Sequence, residues 1–296
     1  THIAYQKKDF TTTKEMNCEA DFDLKGDGLG DPKSGINYNS CVLRTYRIAI
    51  AATGEYTIFQ GGSVAEALAA QVTTMNRVNG IYERDFGVTM TLVPNNDEII
   101  YTNPNTDPFS NGETFAMINE NPPVINAVIG FSNYDIGHVF GTNSGGLAGF
   151  GVTCESNKAA GVTGNNSPIG DPFDVDYVAH EIGHQFGGSH TFNNSCNGNR
   201  SNSTAVEPGS GSTIMAYAGI CNPNVQNNSD DHFHGVSMRQ IGTRINSDNC
   251  PVITGLDNLA PVLDSVVSDF FVPSLTPFAL TAYAFDLDED DVLTYN

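Results

Sequence analysis

The sequence predicts an α+β fold, and three observations support this prediction. Strand-sized segments with alternating or continuous apolar residues occur at 41–52, 88–93, 124–130 and 134–140. A long helix is predicted after Ser63, because Glu66 completes a capping box and Gly87 can end the segment. A second helix, over residues 174–186, contains two of the seven histidines. The core-facing stripe of the first helix comprises Val64, Leu68, Val72, Met75, Val78 and Tyr82.

Length, composition and charge restrict the classes of function. The 296 residues are 39% hydrophobic, which is enough for one large domain with a small appendage. Because 34 acidic residues oppose 13 basic ones, the net charge of −21 argues against nucleic acid and anionic membranes as partners. No apolar run reaches the roughly 18–20 residues that span a bilayer. We therefore expect a protein that binds neither a membrane nor nucleic acid. Separately, we expect a monomer.

The six cysteines favour an oxidising, extracellular compartment. They lie at positions 18, 41, 154, 196, 221 and 250, and six cysteines allow about 15 pairings. We predict Cys18–Cys41, Cys196–Cys221 and Cys154–Cys250; the alternative is a set of buried, reduced thiols in a cytosolic protein. No signal peptide is visible, and the chain begins with Thr1, so we expect a processed form.

The most informative segment runs from residue 180 to residue 190 and has the pattern H-E-x-x-H-x-x-G-x-x-H. On a helix, His180 and His184 lie one turn apart and can bind the same metal ion. Gly187 can end the helix and return the chain, so that His190 becomes a third ligand. Glu181 lies beside the first ligand and can act as a general base. Three protein ligands leave one position of a tetrahedral zinc site open, whereas a structural site would need a fourth ligand such as Cys196.

This motif resembles the zinc signature of the metzincin metallopeptidases. Met215, in the sequence Ser-Thr-Ile-Met-Ala-Tyr, matches the methionine that lies in a turn beneath the metal in this clan. Segments 45–56, 134–154 and 176–220 are similar to the secreted bacterial reprolysin-like (adamalysin-like) branch. The resemblance implies a metzincin-type catalytic domain with a twisted mixed sheet, a long active-site helix and a loop-rich C-terminal subdomain. It also implies that residues 134–148 contain the edge strand that pairs with substrate.

One departure from the reprolysin pattern concerns Tyr217. Animal reprolysins tend to have Cys-Ile-Met-x-Pro at the turn, whereas this chain has Thr-Ile-Met-Ala-Tyr, as in the astacin-like and serralysin-like branches. In those branches the tyrosine approaches the zinc or steadies the transition state. Tyr217 is therefore a candidate switchable ligand or oxyanion donor; the alternative is a purely structural role.

The predicted domains are an N-terminal extension (1–41), a catalytic domain (42–255) and part of an immunoglobulin- or cadherin-like β-module (256–296). Strands are predicted at 278–285 and 292–295 in the last of these, and a helix at 237–245 closes the catalytic domain. Calcium is a candidate ligand of the acidic loops at 21–28 and 286–291, although both are also typical of solvated loops. The sequence Asp-Asp-His-Phe-His at 230–234 is either a second metal cluster or, as we expect, a surface loop or pocket wall.

Together these features predict a secreted zinc-dependent endopeptidase that hydrolyses proteins or peptides. His180, His184 and His190 would bind zinc, and Glu181 would be the general base. The first alternative is a non-catalytic peptide-binding module on a metzincin fold. The second alternative is a structural zinc protein.

Overall fold

A six-stranded mixed sheet organises the part of the chain that the computed structural model describes, namely residues 41–143 and 145–259 with short stretches at 261–263, 272–277, 279, 283–288 and 292–293. The strands are β1 (Val42–Ala52), β2 (Val88–Leu92), β3 (Ile136–Gly141), β4 (Gly145–Ala148), β5 (Gly161–Gly164) and β6 (Val252–Gly255). The strand order is β2-β1-β3-β5-β4, and β6 pairs with β1. The pairs β1–β2, β1–β3 and β3–β5 are parallel, whereas β4 is antiparallel to β5 and β6 to β1.

Six α-helical segments accompany the sheet. They are α1 (Gly54–Phe59), α2 (Val64–Phe86), α3 (Thr114–Val128), α4 (Asp171–Phe173), α5 (His180–Gln185) and α6 (Gly235–Ser247), and a π-helical segment (Asp174–Ala179) joins α4 to α5. The predicted α+β class with a mixed sheet is therefore confirmed. No helix in the described ranges is both long and apolar enough to span a bilayer.

The ends of α2 follow the prediction closely. The Ser63 hydroxyl accepts a hydrogen bond from the Glu66 amide at 3.3 Å and donates one to the Glu66 carboxylate at 2.7 Å. At the other end, Gly87 adopts a left-handed conformation with φ of 62° and closes the helix.

The predicted core-facing stripe of α2 is wrong at Val72, which is exposed. Gln71 is buried instead, because its side chain hydrogen-bonds to the Ile50 carbonyl of β1 and to Asn96.

The predicted strand at 124–130 is wrong, because most of this segment forms the C-terminal half of α3. Met117, Asn121 and Ile125 are buried at a spacing of four residues, which is the period of a helix. Pro122 and Pro123 lie inside this helix, where proline normally removes hydrogen bonds and ends helices. Tertiary packing, including a hydrogen bond from the Asn121 amide to the Ala159 carbonyl at 2.8 Å, overrides this local signal.

The helix that carries the histidines begins earlier than predicted. Gly170 precedes its first turn, Asp171–Phe173, and Asp174 and Asp176 lie within the π-helical segment that follows. Pro172 lies in that first turn, where its missing amide hydrogen costs nothing. Asp174 accepts a hydrogen bond from the Thr74 hydroxyl at 2.7 Å, and Asp176 accepts one from the Ser229 amide.

Two of the three predicted disulfides are present, Cys154–Cys250 and Cys196–Cys221. The third, Cys18–Cys41, stays a prediction because Cys18 lies outside the described residues. The predicted N-terminal extension up to residue 40 and the acidic loop at 21–28 lie outside them as well.

In the C-terminal segment, β8 (Ala284–Phe285) pairs antiparallel with β7 (Val262–Leu263), so the end of the predicted strand at 278–285 is extended. Of the predicted strand at 292–295, residues 292–293 are described and form no strand, and residues 294–295 lie outside the described residues.

Candidate metal centre and active site

Three buried histidine side chains converge at the C-terminal end of α5. His180, His184 and His190 each offer a nitrogen, and these nitrogens all lie within 4.8 Å of one another. The Nε2 atom of His184 is 3.1 Å from the Nε2 atoms of both His180 and His190. Two nitrogens that share a tetrahedral zinc ion, each about 2.0–2.1 Å from it, lie about 3.3 Å apart. The spacing of the three rings therefore suits a single metal ion.

The hydrogen bonds of the opposite ring nitrogens fix the tautomer of each histidine. His180 Nδ1 donates to the Ile214 carbonyl, His184 Nδ1 to the Gly188 carbonyl and His190 Nδ1 to the Asn199 carbonyl, each at 2.7 Å. A carbonyl oxygen only accepts, so each Nδ1 must carry the proton and each neutral ring presents an Nε2 lone pair. The Nε2 lone pairs of His180 and His190, each 3.1 Å from that of His184, do not form hydrogen bonds with it. This donor set fits a divalent cation.

Burial keeps these rings neutral. It lowers the pKa of His180 to about 4 and that of His190 to about 3, and it lowers the pKa of His184 well below its ordinary value. Metal binding requires a deprotonated imidazole nitrogen, so the burial of the site favours binding near neutral pH.

Gly183 allows the turn at residues 212–217, which we call the Met-turn, to pack against the histidine helix. A β-carbon on Gly183 would lie 2.5 Å from the Met215 sulfur and 3.2 Å from the Phe233 ring. Met215 is fully buried. The Ile214 carbonyl of the same turn is the acceptor for His180. The Met-turn thus packs against the histidine helix and orients one of its histidines, and the packing role of Met215 beneath the metal stays a prediction.

A glycine turn brings the third histidine back to the first two. Gly187 has a φ of 86°, a conformation that L-residues with a side chain rarely adopt, and its amide donates to the His184 carbonyl at 2.8 Å. The Gly188 amide donates to the Gly183 carbonyl at 2.8 Å. The helix therefore ends at the predicted place, and the chain reverses so that His190 faces His184.

Glu181 lies in the interior beside the edge strand of the sheet. Its side chain is fully buried. Gly146 of β4 is so close that a β-carbon there would overlap the Glu181 carboxylate and lie 2.5 Å from its Cγ. Strand β4 stands at one end of the strand order, within the segment at 134–148 expected to bind substrate. The carboxylate is thus between the histidine helix and the strand expected to carry the peptide.

Tyr217 is 2% exposed and packs on the metal centre. Its ring centroid is 4.6 Å from that of His190, 5.8 Å from that of His180 and 4.4 Å from that of Phe192. Its amide donates to the Ser210 carbonyl at 2.8 Å. These contacts place the ring beside two of the histidines, and its catalytic role stays a prediction.

Two candidate ligand groups are not part of the centre. Cys196 cannot be a fourth ligand while it is bonded to Cys221. In the segment at 230–234, Asp231 forms ion pairs with Arg77 and Arg84, and His234 caps α6 by accepting from the Val236 amide. Within the described ranges, only the three histidines form a group of three or more potential ligands. The expected surface loop or pocket wall is thus favoured over a second metal cluster.

Sequence reasoning missed Glu207, although a signal was present. It is the only acidic residue between positions 182 and 229, in a chain with 34 acidic residues. In the structure it is 6% exposed, and its carboxylate lies against the Met-turn. An isolated acidic residue in a long neutral segment indicates a specific partner, but the sequence alone does not identify that partner.

Comparison with protein families identifies the class of the molecule. A model of metallopeptidase family M12B, reprolysin-like, matches residues 42–244. The chain belongs to this family. Membership makes it a reprolysin-like metzincin, and the three histidines that could hold a metal ion lie within the matched residues. The secreted bacterial branch of the family stays a prediction.

Other comparisons add little to this assignment. No curated protein matches the reprolysin-like chain significantly. One solved structure, described as "Structure of a chaperone-substrate complex", is similar with a TM-score of 0.41 and 15% sequence identity. The match covers 68% of this chain and 35% of that one, so this chain spans about a third of its length.

Proposed function

We propose that this reprolysin-like protein is a secreted zinc-dependent endopeptidase. In the proposal His180, His184 and His190 hold the zinc, and Glu181 is the general base. The observation that carries it is the convergence of three Nε2 lone pairs beside a buried glutamate. Family membership supports the same chemistry independently of these contacts.

The roles of the protein groups follow from their positions. When bound, zinc supplies a Lewis acid that activates water and polarises the scissile carbonyl. The Glu181 carboxylate accepts a proton from the attacking water and returns it to the nitrogen of the leaving amine. Its burial beside Gly146 removes it from bulk solvent and holds it in one place before substrate arrives. The three Nδ1–carbonyl hydrogen bonds likewise hold each histidine ring in a fixed orientation.

We infer that an extended substrate binds along strand β4. It is antiparallel to β5 on one side and ends the strand order on the other, and a peptide can add to such an edge through main-chain hydrogen bonds. Because the contact between Gly146 and Glu181 joins this edge to the base, a peptide on β4 would pass the metal centre. A strand that binds a peptide along its length favours an endopeptidase over an exopeptidase.

An extracellular location is part of the proposal. Two disulfides, Cys154–Cys250 and Cys196–Cys221, favour an oxidising compartment, and the net charge of −21 suits a solvated acidic surface. Calcium binding by the acidic segments and a monomeric state also remain predictions.

Tyr217→Phe tests the proposed oxyanion role of Tyr217. Phenylalanine keeps the ring that packs on His190 and Phe192 but removes the hydroxyl. We expect kcat to fall about tenfold or more with KM and zinc content unchanged, because an oxyanion donor acts only in the transition state. Steady-state kinetics on a quenched-fluorescent peptide measure both constants. Wild-type kcat in this variant would assign Tyr217 a structural role.

Metal removal tests the proposed function as a whole. We expect casein cleavage by the wild-type protein to stop after treatment with a zinc chelator and to return when one equivalent of zinc is added. Calcium added alone is the matched control and should not restore cleavage, because a three-histidine site prefers zinc to a hard cation. A protein that holds one zinc and binds peptides without cutting them would support the peptide-binding alternative instead.

A further inference from the structure

A single buried carboxylate, that of Glu207, joins the segment after the third histidine to the Met-turn. One carboxylate oxygen accepts from the Ser212 amide at 2.8 Å and from the Thr213 amide at 3.1 Å. The other oxygen accepts from the Thr213 hydroxyl at 2.6 Å and, at short range, from the Thr191 hydroxyl. The Glu207 amide also donates to the Thr191 carbonyl at 2.9 Å. Glu207 therefore bonds to both segments at once.

The residues that Glu207 contacts are direct neighbours of the metal-site machinery. Thr191 follows His190, the third histidine. Thr213 precedes Ile214, whose carbonyl accepts from His180. A further hydrogen bond, from the Thr191 amide to the Met215 carbonyl at 3.1 Å, joins the same two segments. A change in the separation of these segments would move His190 relative to His180.

The groups around Glu207 suit a carboxylate. Five donors surround the two oxygens of Glu207, the fifth being the Ser212 hydroxyl at 3.5 Å, and a carboxylate accepts from all of them without offering a proton. Burial on its own would raise the pKa of Glu207, but hydrogen bonds from Thr191, Thr213 and the backbone lower it below the ordinary value. Glu207 is thus ionised near neutral pH, and its bonds are the stronger, charge-assisted kind.

We propose that Glu207 is a positioning residue of the metal centre, which fixes the Met-turn against the third-histidine segment and thereby sets the affinity for the metal. This inference rests on the proposed zinc site but is independent of peptidase turnover. Groups that orient metal ligands typically change metal affinity by about 10- to 100-fold when they are removed. Glu207 acts on the metal ligands indirectly, through Thr191 and Thr213.

The test measures zinc affinity in the purified full chain by competition with a chromophoric chelator. We expect Glu207→Ala to weaken zinc binding by about tenfold or more. Glu207→Gln should lie between Glu207→Ala and the wild type. Its amide can accept on one side and donate on the other, and the two threonine hydroxyls can turn to accept. A folded Glu207→Ala protein with wild-type zinc affinity would overturn the proposal.

Isosteric variants decide the matter if Glu207→Ala does not fold. Thr191→Val and Thr213→Val each remove one hydroxyl donor to Glu207 and keep the side-chain shape, so both should weaken zinc binding. Thr74→Val is the matched control, because it removes a buried hydrogen bond from a threonine hydroxyl to an aspartate side chain, that of Asp174, outside this contact. It should lower the melting temperature without changing zinc affinity. If all three valine variants bind zinc as tightly as the wild type, the proposed role of Glu207 is refuted. A wild type that takes up no zinc would refute the metal site itself.

Discussion

Replacing Glu181 by glutamine is expected to lower kcat for peptide cleavage by about two to four orders of magnitude while the protein keeps one bound zinc. Glutamine has nearly the shape of glutamate, so the packing against Gly146 is preserved. The amide cannot accept the proton of the attacking water, and the general-base step is lost. The three histidines and their carbonyl partners are unchanged, so metal content should not fall.

The measurement pairs steady-state kinetics with zinc quantification on the same sample. Glu113→Gln is the matched control, because Glu113 is an exposed carboxylate at the start of α3. We expect this control to cleave casein at the wild-type rate. Full turnover by a zinc-loaded Glu181→Gln protein would rule out Glu181 as the base. Loss of zinc together with activity would show instead that Glu181 supports the structure of the site.

The metal centre could be predicted from sequence because its parts are local. His180 and His184 are one helical turn apart, and Gly187 reverses the chain within the next turn, so the spacing of the motif already specifies their approach. The capping of α2 by Ser63 and Gly87 is local in the same sense. Signals of this kind depend on the backbone geometry of a few neighbouring residues, and tertiary structure leaves them unchanged.

The remaining features depend on contacts between distant segments. The helix α3 contains Pro122 and Pro123, whose local preference opposes a helix, and the bond between Asn121 and Ala159 is invisible in the sequence. The partners of Glu207 lie 16 residues before it and 5 or 6 residues after it, in loops without periodicity. Each of these features depends on hydrogen bonds that form only when segments distant in the chain pack together.

Gly146 is the most consequential residue of this second kind, and Gly146→Ala is expected to lower kcat about 10- to 100-fold. The added methyl group would overlap the Glu181 carboxylate, so the side chain of Glu181 must change its conformation. A displacement of about 1 Å in a reacting group can cost about a hundredfold in rate. Zinc content should stay at the wild-type level, because the three atoms nearest to the added methyl group all belong to Glu181 and none belongs to a histidine.

The comparison with Gly80→Ala separates displacement of the base from a general effect of adding a methyl group. Gly80 lies in α2, is exposed, and a β-carbon there would meet nothing within 4 Å. Alanine should stabilise the helix by up to about 1 kcal/mol and leave kcat unchanged. If Gly146→Ala instead raised KM and left kcat intact, the methyl group would be hindering the peptide on β4 while the base kept its place. A fall in kcat at constant KM would show that the edge strand, which is expected to align the substrate, also fixes the position of Glu181.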